Sequence, residues 1–305
     1  MTQEPLISII TPSLNRAEMI STAIESVMAQ DYPHFEHIIV DGGSIDGTLE
    51  LLKKYPHLHL ISRKDQGVYD ALNKGITLAH GDIIGQLNTD DYYEPGVFSS
   101  IARIFIENKD MDAVSAGAQV YEIQPDGQHK ILASYPGIQP SELLHRATIG
   151  VPVFNGWFFR KSVFEKAGNY SLNYSIAADR DFLIRCALKS IPYLPLDAVI
   201  YHYQQHPGSL TITDNRERRV KYIHEAFNIA NSYLNQPVPN EFQIVIADWL
   251  AYLCGELFIA GVAMRKAPVV IEALQRARTL SLTWFIKFLY LRRKQQVFTS
   301  RIRTI

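Results

Sequence analysis

A chain of 305 residues that is 47% hydrophobic and 20% charged can bury a large core, and it is neither disordered nor fibrous. Its net charge of −1 hides an asymmetry: residues 1–272 hold 22 basic against 31 acidic residues, a net of −9, and the eight basic residues after Glu272 give the tail +8. A net-acidic body with one basic segment argues against nucleic-acid binding and points the tail at an anionic surface.

The chain opens MTQEPLISIITPS, with no basic leader and an apolar run of five residues, too short for a signal peptide or a membrane span. No later run is read as long enough to span a membrane. Residues 6–11 are a β-rich apolar run, and 17–30 follow with Met19, Ile20, Ala23, Ile24, Val27 and Met28 at helical spacing and Asn15 as N-cap. The pattern repeats with a strand over 37–40, a helix over 47–55, a strand over 58–62, a helix over 68–79 and a strand over 82–87. Such alternation predicts right-handed βαβ units and a mostly parallel sheet, with ligands beyond the carboxyl ends of its strands. TPSLNR, DGGSIDGT and NTDD all fall there.

Beyond Pro95 the regularity loosens: helices are expected over 97–107, 141–146 and 179–189, and strands over 113–122, 131–135 and 198–203. From about residue 213 only helical patterns occur. The expected division is therefore 1–212, with a nucleotide half to about 95 and an acceptor half from 96, followed by a helical region over 213–305. Cys186 and Cys254 lie far apart in apolar surroundings, so they form neither a metal pair nor a disulfide framework, and a reducing cytoplasm is the expected location.

The run DIIGQLNTDDYYEP ends a buried strand in two carboxylates, Asp90 and Asp91. Buried charge needs a partner, and a hard divalent cation takes oxygen ligands of this kind. Capping of the helix after Pro95 is the other use of such an acid. No G-x-G-x-x-G or G-x-x-x-x-G-K is present, which excludes dinucleotide and P-loop chemistry.

The series ISIITPSLNR, HIIVDGGSIDGT, DQGVYDALNKGI and GDIIGQLNTDDYYEP resembles glycosyltransferase family 2, over roughly residues 5–210, and is most similar to its bacterial surface-polysaccharide and O-antigen members. The resemblance implies an α/β GT-A fold, a Rossmann-like sheet with flanking helices plus the C-terminal helical extension. It implies metal-dependent, inverting transfer of a hexosyl or N-acetylhexosaminyl group from a nucleotide sugar, with UDP expected, to a glycan or lipid-linked acceptor. Mn²⁺ or Mg²⁺ would bridge the diphosphate. Asn88-Thr89-Asp90 occupies the family's Asp-x-Asp position, with Asn in place of the first acid, and Asp91 is next to it. Thr11, Pro12 and Asn15 line the first loop, and Arg16 is expected to face the diphosphate. Asp41 matches the position that reads the nucleobase, or else is a turn residue before Gly42-Gly43; Asp46 caps the next helix. Asp65 matches an acid near the ribose or sugar, and Asp70 with Lys74 is a surface ion pair or part of the site.

In AADRDFLIRC, Asp179 falls on the second acid of the family's pair and is the expected base, with Ala178 replacing the first; helix capping is its other use. Asp181 is the neighbouring acceptor candidate, and Trp157 either stacks on a sugar or packs in the core. His202 and His206 fall where some relatives place a histidine on the metal, and His202 is taken as the ligand. Gly208 and Ser209 suit a lid. The tail, with Trp284, Phe285, Phe288, Leu289 and Leu291 beside Lys287 and Arg292-Arg293-Lys294, suits a membrane interface, the catalytic domain or a dimer contact. Membrane contact would put the protein at the inner face of the cell membrane. Two other readings are a non-catalytic sugar-nucleotide binder, because of Asn88 and Ala178, and a sugar-phosphate nucleotidyltransferase, against which stands a first loop without glycine.

Overall fold

The apolar alternation of the first half builds a four-stranded parallel unit in the computed structural model, which describes residues 4–206, 215–234, 236–280 and 283–303. Strands β1 (Ile7–Ser13), β2 (Phe35–Asp41), β3 (Leu58–Ser62) and β4 (Ile83–Gln86) pair in the order β3-β2-β1-β4. Helices α1 (Ile20–Met28), α2 (Thr48–Leu52) and α3 (Val68–Leu78) make the crossovers. Consecutive Ile9 and Ile10, Ile38 and Ile39, and Ile83 and Ile84 are all buried, as expected where helices cover both faces of a sheet.

Asn15 does not cap α1. Its backbone is left-handed at φ 53°, its Oδ1 accepts the Ile45 N–H at 2.9 Å, and α1 begins five residues later at Ile20. The side chain thus ties the first loop to the DGGSIDGT loop.

After β4 the strand sense changes. The chain continues through β5 (Tyr92–Tyr93), α4 (Val97–Glu107), β6 (Ala113–Ile123), β7 (His129–Tyr135), α5 (Leu143–Thr148), β8 (Trp157–Arg160), α6 (Ser162–Ala167), α7 (Ala178–Leu188) and β9 (Tyr193–Gln204). Strand β8 runs antiparallel between β4 and β6, β9 is parallel to β6, β5 is antiparallel to β9, and β7 pairs with β6. The expected mostly parallel sheet therefore holds for the first half, and the second half is mixed.

The C-terminal region forms α8 (Arg216–Leu234), α9 (Asn240–Met264), α10 (Ala267–Ala277) and α11 (Trp284–Arg303). The expectation that no segment is long enough to span a membrane is corrected here: α9, at 25 residues, is long and apolar enough by length and composition. Its Trp249, Leu253, Cys254 and Leu257 are buried, and the helix packs against α5, α8, α10 and α11. A helix apolar on most faces is what the centre of a bundle requires. Phe288 of α11 fills the groove left by Gly255, where any Cβ would meet its ring. The largest core cluster runs from Ile10 and Ile38 through Phe182 to Phe227 and Trp249, joining sheet and bundle. Cys186 and Cys254 are buried free thiols within it.

Candidate active site

A cavity of about 700 Å³ opens at the carboxyl ends of β1 and β4. Pro12, Arg16, Asp65, Asn88, Thr89 and Asp90 line it from the first half, and Asp179 and Arg180 line it from α7. Ligands of open α/β sheets bind at this edge because the strand ends leave a crevice between their loops.

The two carboxylates after β4 have separate fates. Asp91 is fully buried; it accepts the Tyr201 hydroxyl at 2.5 Å, the Asn88 amide at 2.9 Å and the Gln204 N–H at 2.9 Å. Burial, and then the charge of Asp90, pushes its carboxyl up. Its oxygens are committed to the sheet, so the expected metal role of Asp91 is corrected to a structural one. Asp90 lines the cavity, and its Oδ2 lies 2.7 Å from Nε2 of His206.

His202, the expected metal ligand, does not line the cavity. It sits opposite Tyr92 in the β5–β9 pairing, its ring stacks on Tyr92 with centroids 4.4 Å apart, and its Nε2 lies 2.6 Å from Glu94 Oε2. Asp90 and His206 together offer one oxygen and one nitrogen donor. Such a mixed set fits Mn²⁺ better than Mg²⁺, which prefers oxygen throughout.

In the first loop, Arg16 faces the cavity while its N–H is held by Thr48 Oγ1 at 2.8 Å. Thr11 is fully buried with its hydroxyl 2.9 Å from His37 Nε2, so it supports the strands and does not line the cavity. Asn15 is exposed and committed to Ile45, outside the cavity lining. Asp41, the expected nucleobase reader, does not line the cavity. It is fully buried, its Oδ1 accepts the N–H groups of Gly43 and Ser44 at 2.9 Å and the Ser62 hydroxyl at 2.8 Å, and its Oδ2 takes the Ser44 hydroxyl. The carboxylate shapes its own turn. Asp65 faces the cavity instead, close over Gly42, where an added Cβ would meet Asp65 Oδ2 at 2.7 Å. Asp46 accepts the Thr48 N–H at 3.0 Å at the start of α2, and Asp70 pairs with Lys74 at 2.9 Å.

Asp179 lies in the first turn of α7, with Oδ1 accepting the Arg180 N–H at 2.8 Å and 3.3 Å from the Tyr69 hydroxyl. Burial raises its pKa, outweighing the Arg180 charge and these hydrogen bonds. Arg180 donates to the carbonyls of Ala147, Thr148 and Gly150 at 3.1, 2.7 and 2.9 Å, at the negative end of α5. The loop before α7 is held from α8: Glu225 accepts the N–H groups of Ser175, Ile176 and Ala177 at 2.9, 2.8 and 3.0 Å and the Ser175 hydroxyl at 2.7 Å. Tyr69 donates to the Ile176 carbonyl at 2.8 Å.

Two expected acceptor residues lie elsewhere. Asp181 is buried, paired with Arg185 at 2.9 Å and bonded to the Tyr233 hydroxyl at 3.1 Å, because position 181 falls on the helix face toward α8. Trp157 is 2% exposed and stacks on Phe159 with planes 5° apart, so its ring belongs to the core. The remainder of the cavity is lined by Val151, Pro152 and Val153 and by Tyr222, Ile223, Trp249, Tyr252 and Leu253 of the C-terminal helices. Gly208 and Ser209, the expected lid, lie outside the described residues. Sequence reasoning missed Tyr69, Arg180 and Glu225, whose only signal is a polar residue on an apolar helix face.

Fold and cavity together define the GT-A class of glycosyltransferases. Solved structures similar to this chain include S. aureus TarS 1-349 in complex with UDP, at 16% identity and TM-score 0.65 over 95% of this chain and 88% of that one. Another is the mannosyltransferase PcManGT from Pyrobaculum calidifontis in complex with GDP-Man and Mn²⁺, at 18% identity and TM-score 0.59 over 99% and 83%. The chain belongs to glycosyl transferase family 2, whose family model matches residues 8–168. Among named relatives, the PGL/p-HBAD biosynthesis glycosyltransferase of Mycobacterium bovis (strain BCG / Pasteur 1173P2) is 34% identical over 220 residues, 69% of this chain and 81% of the relative. Chondroitin synthase of Pasteurella multocida (strain Pm70) is 32% identical over 127 residues, 40% of this chain and 13% of the relative.

Proposed function

We propose that this chain transfers a sugar from a UDP-sugar to a hydroxyl of a lipid-linked glycan, with inversion and with Mn²⁺ or Mg²⁺ bound, in the building of a surface polysaccharide. The observation that carries this reading is that Asp90 of the Asp90–His206 pair and the half-buried carboxylate Asp179 line one cavity. Asp90 and His206 would hold the cation, which when bound offsets charge on the departing diphosphate. Asp179 accepts the proton of the acceptor hydroxyl as its oxygen bonds to the anomeric carbon. The bond from that carbon to the diphosphate oxygen breaks, and its electron pair leaves with the nucleotide.

Asp65 is the base-reading candidate that faces the cavity, and a carboxylate suits the imide N–H of uracil. The UDP complex of TarS supports the same nucleotide. Guanine also offers N–H donors to a carboxylate, so GDP is a necessary arm of the test. The apolar lining from Val151 to Val153 and from α8 and α9 suits an acceptor with a hydrophobic portion. In this reading residues 1–212 carry the donor and the chemistry, and 213–305 complete the acceptor side. Phe285, Ile286, Leu289 and Tyr290 of α11 are exposed beside exposed Arg293 and Lys294, a face suited to the anionic inner surface of the cell membrane.

Calorimetric titration of UDP, GDP and CDP, each with and without Mn²⁺, tests the donor assignment. Metal-dependent binding of UDP alone supports it; binding of GDP alone moves the donor to a GDP-sugar, and binding of none overturns the site.

A further inference from the structure

At the opposite edge of the sheet from the cavity, Glu36, His59 and His80 bring three ligating atoms within 4.8 Å of one another. Glu36 is the second residue of β2, His59 the second of β3, and His80 lies in the turn before β4. Glu36 is buried, whereas the side chains of His59 and His80 are 53% and 75% exposed.

The two carboxylate oxygens of Glu36 do different things. Oε1 accepts the Ser8 hydroxyl and the His80 N–H, both at 2.6 Å, and the Gly81 N–H at 3.3 Å. These three donors leave Oε2 for the imidazoles, with Nδ1 of His80 at 3.1 Å and Nδ1 of His59 at 3.3 Å. We propose that Oε2 of Glu36 and the Nδ1 atoms of His59 and His80 bind a single late-transition divalent cation of the Zn²⁺ type, with water completing its coordination.

The distances suit that ion. Ligands about 2.1 Å from a tetrahedral centre stand roughly 3.4 Å from each other, close to the two oxygen–nitrogen separations seen here. The exposed imidazoles can turn to close the third edge. One carboxylate with two imidazoles selects Zn²⁺ and its neighbours over Mg²⁺ or Ca²⁺, which prefer oxygen. The donors on Oε1 do what outer partners of metal ligands do, fixing the carboxylate's orientation. Burial by itself would raise the Glu36 carboxyl, but the hydrogen bonds from Ser8 and His80 outweigh it and hold it below its ordinary value, so the group is ionised as a ligand must be. A bound ion would clip β2, β3 and the turn before β4 together, remote from the transfer chemistry.

The test is titration of ZnCl₂ into the Asp90→Asn/His206→Gln protein, which lacks the acid–histidine pair at the cavity, followed by calorimetry and by the visible absorption of Co²⁺ as a tetrahedral probe. One equivalent is expected, with a rise in Tm on adding Zn²⁺. Adding His59→Gln or His80→Gln, both at exposed positions, should weaken binding by at least about tenfold and abolish the Tm rise, while the metal-free Tm stays the same. Absence of binding, or binding indifferent to both histidine substitutions, overturns the site.

Discussion

At Asp179 two tendencies oppose each other: the start of a helix favours the ionised carboxylate, and burial favours the neutral acid. Burial prevails, which suits a base that must take a proton near neutral pH. Asp179→Asn should lower turnover by about 10³-fold while leaving UDP–Mn²⁺ binding intact. Loss of nucleotide binding in a folded variant would remove the base assignment. Because the carboxyl is raised, activity should be present above its pKa and fall as pH drops through a value above the ordinary carboxylate range. Tyr69→Phe removes a hydrogen bond that favours ionisation, so the acid limb of the pH–rate profile should move higher still. At the other end, Asp90→Asn or His206→Gln should cost about 10- to 100-fold in Mn²⁺-dependent nucleotide affinity, and His202→Gln should leave it unchanged, as read by calorimetry. NTDD and AADRD are local strings, so Asp90 and Asp179 could be picked out as candidates from sequence. That His206 contacts Asp90 and that Asp65, not Asp41, lines the cavity could not, since these depend on cross-strand pairing and on which N–H groups a turn directs at its own carboxylate.

Among elements, α8 acts on the site without lining its chemical end alone, since Glu225 gathers the loop that leads into α7. Glu225→Ala would leave several backbone N–H groups without their carboxylate, at a cost of about 3 kcal/mol. It should also lower kcat more than it weakens nucleotide binding, a split that a purely structural residue would not give. Helix α11 is seated by Phe288 in the Gly255 groove, and Phe288→Ala should cost about 3–5 kcal/mol by denaturant unfolding. The crossover helices and parallel strands were readable because each buries one periodic face. Strand β8 was not, because four aromatic-rich residues, WFFR, carry no period and reveal their role only when β4 and β6 flank them. Helix α9 escaped notice as an apolar segment because Glu241, Asp248 and Glu256 interrupt it, and Glu256 is matched by Arg219 from α8.

For the molecule as a whole, six of the eight basic residues of the tail come to lie on α11, a helix that turns one apolar side inward and leaves another exposed. Cosedimentation with vesicles containing anionic lipid should be seen, should weaken with salt, and should be lost in Arg293→Glu/Lys294→Glu. Binding to neutral vesicles alone, or dimerisation without vesicle binding, would assign that face to a different use. The match to the family model ends at residue 168, whereas Tyr222, Ile223, Trp249, Tyr252 and Leu253 come from helices that begin at Arg216. On the proposed reading, handling the donor and choosing what receives the sugar are the work of successive stretches of one chain. Under that reading, laboratory chimeras joined between β9 and α8 would exchange the recipient, and would keep the reaction only where the incoming α8 carries a carboxylate at the Glu225 position.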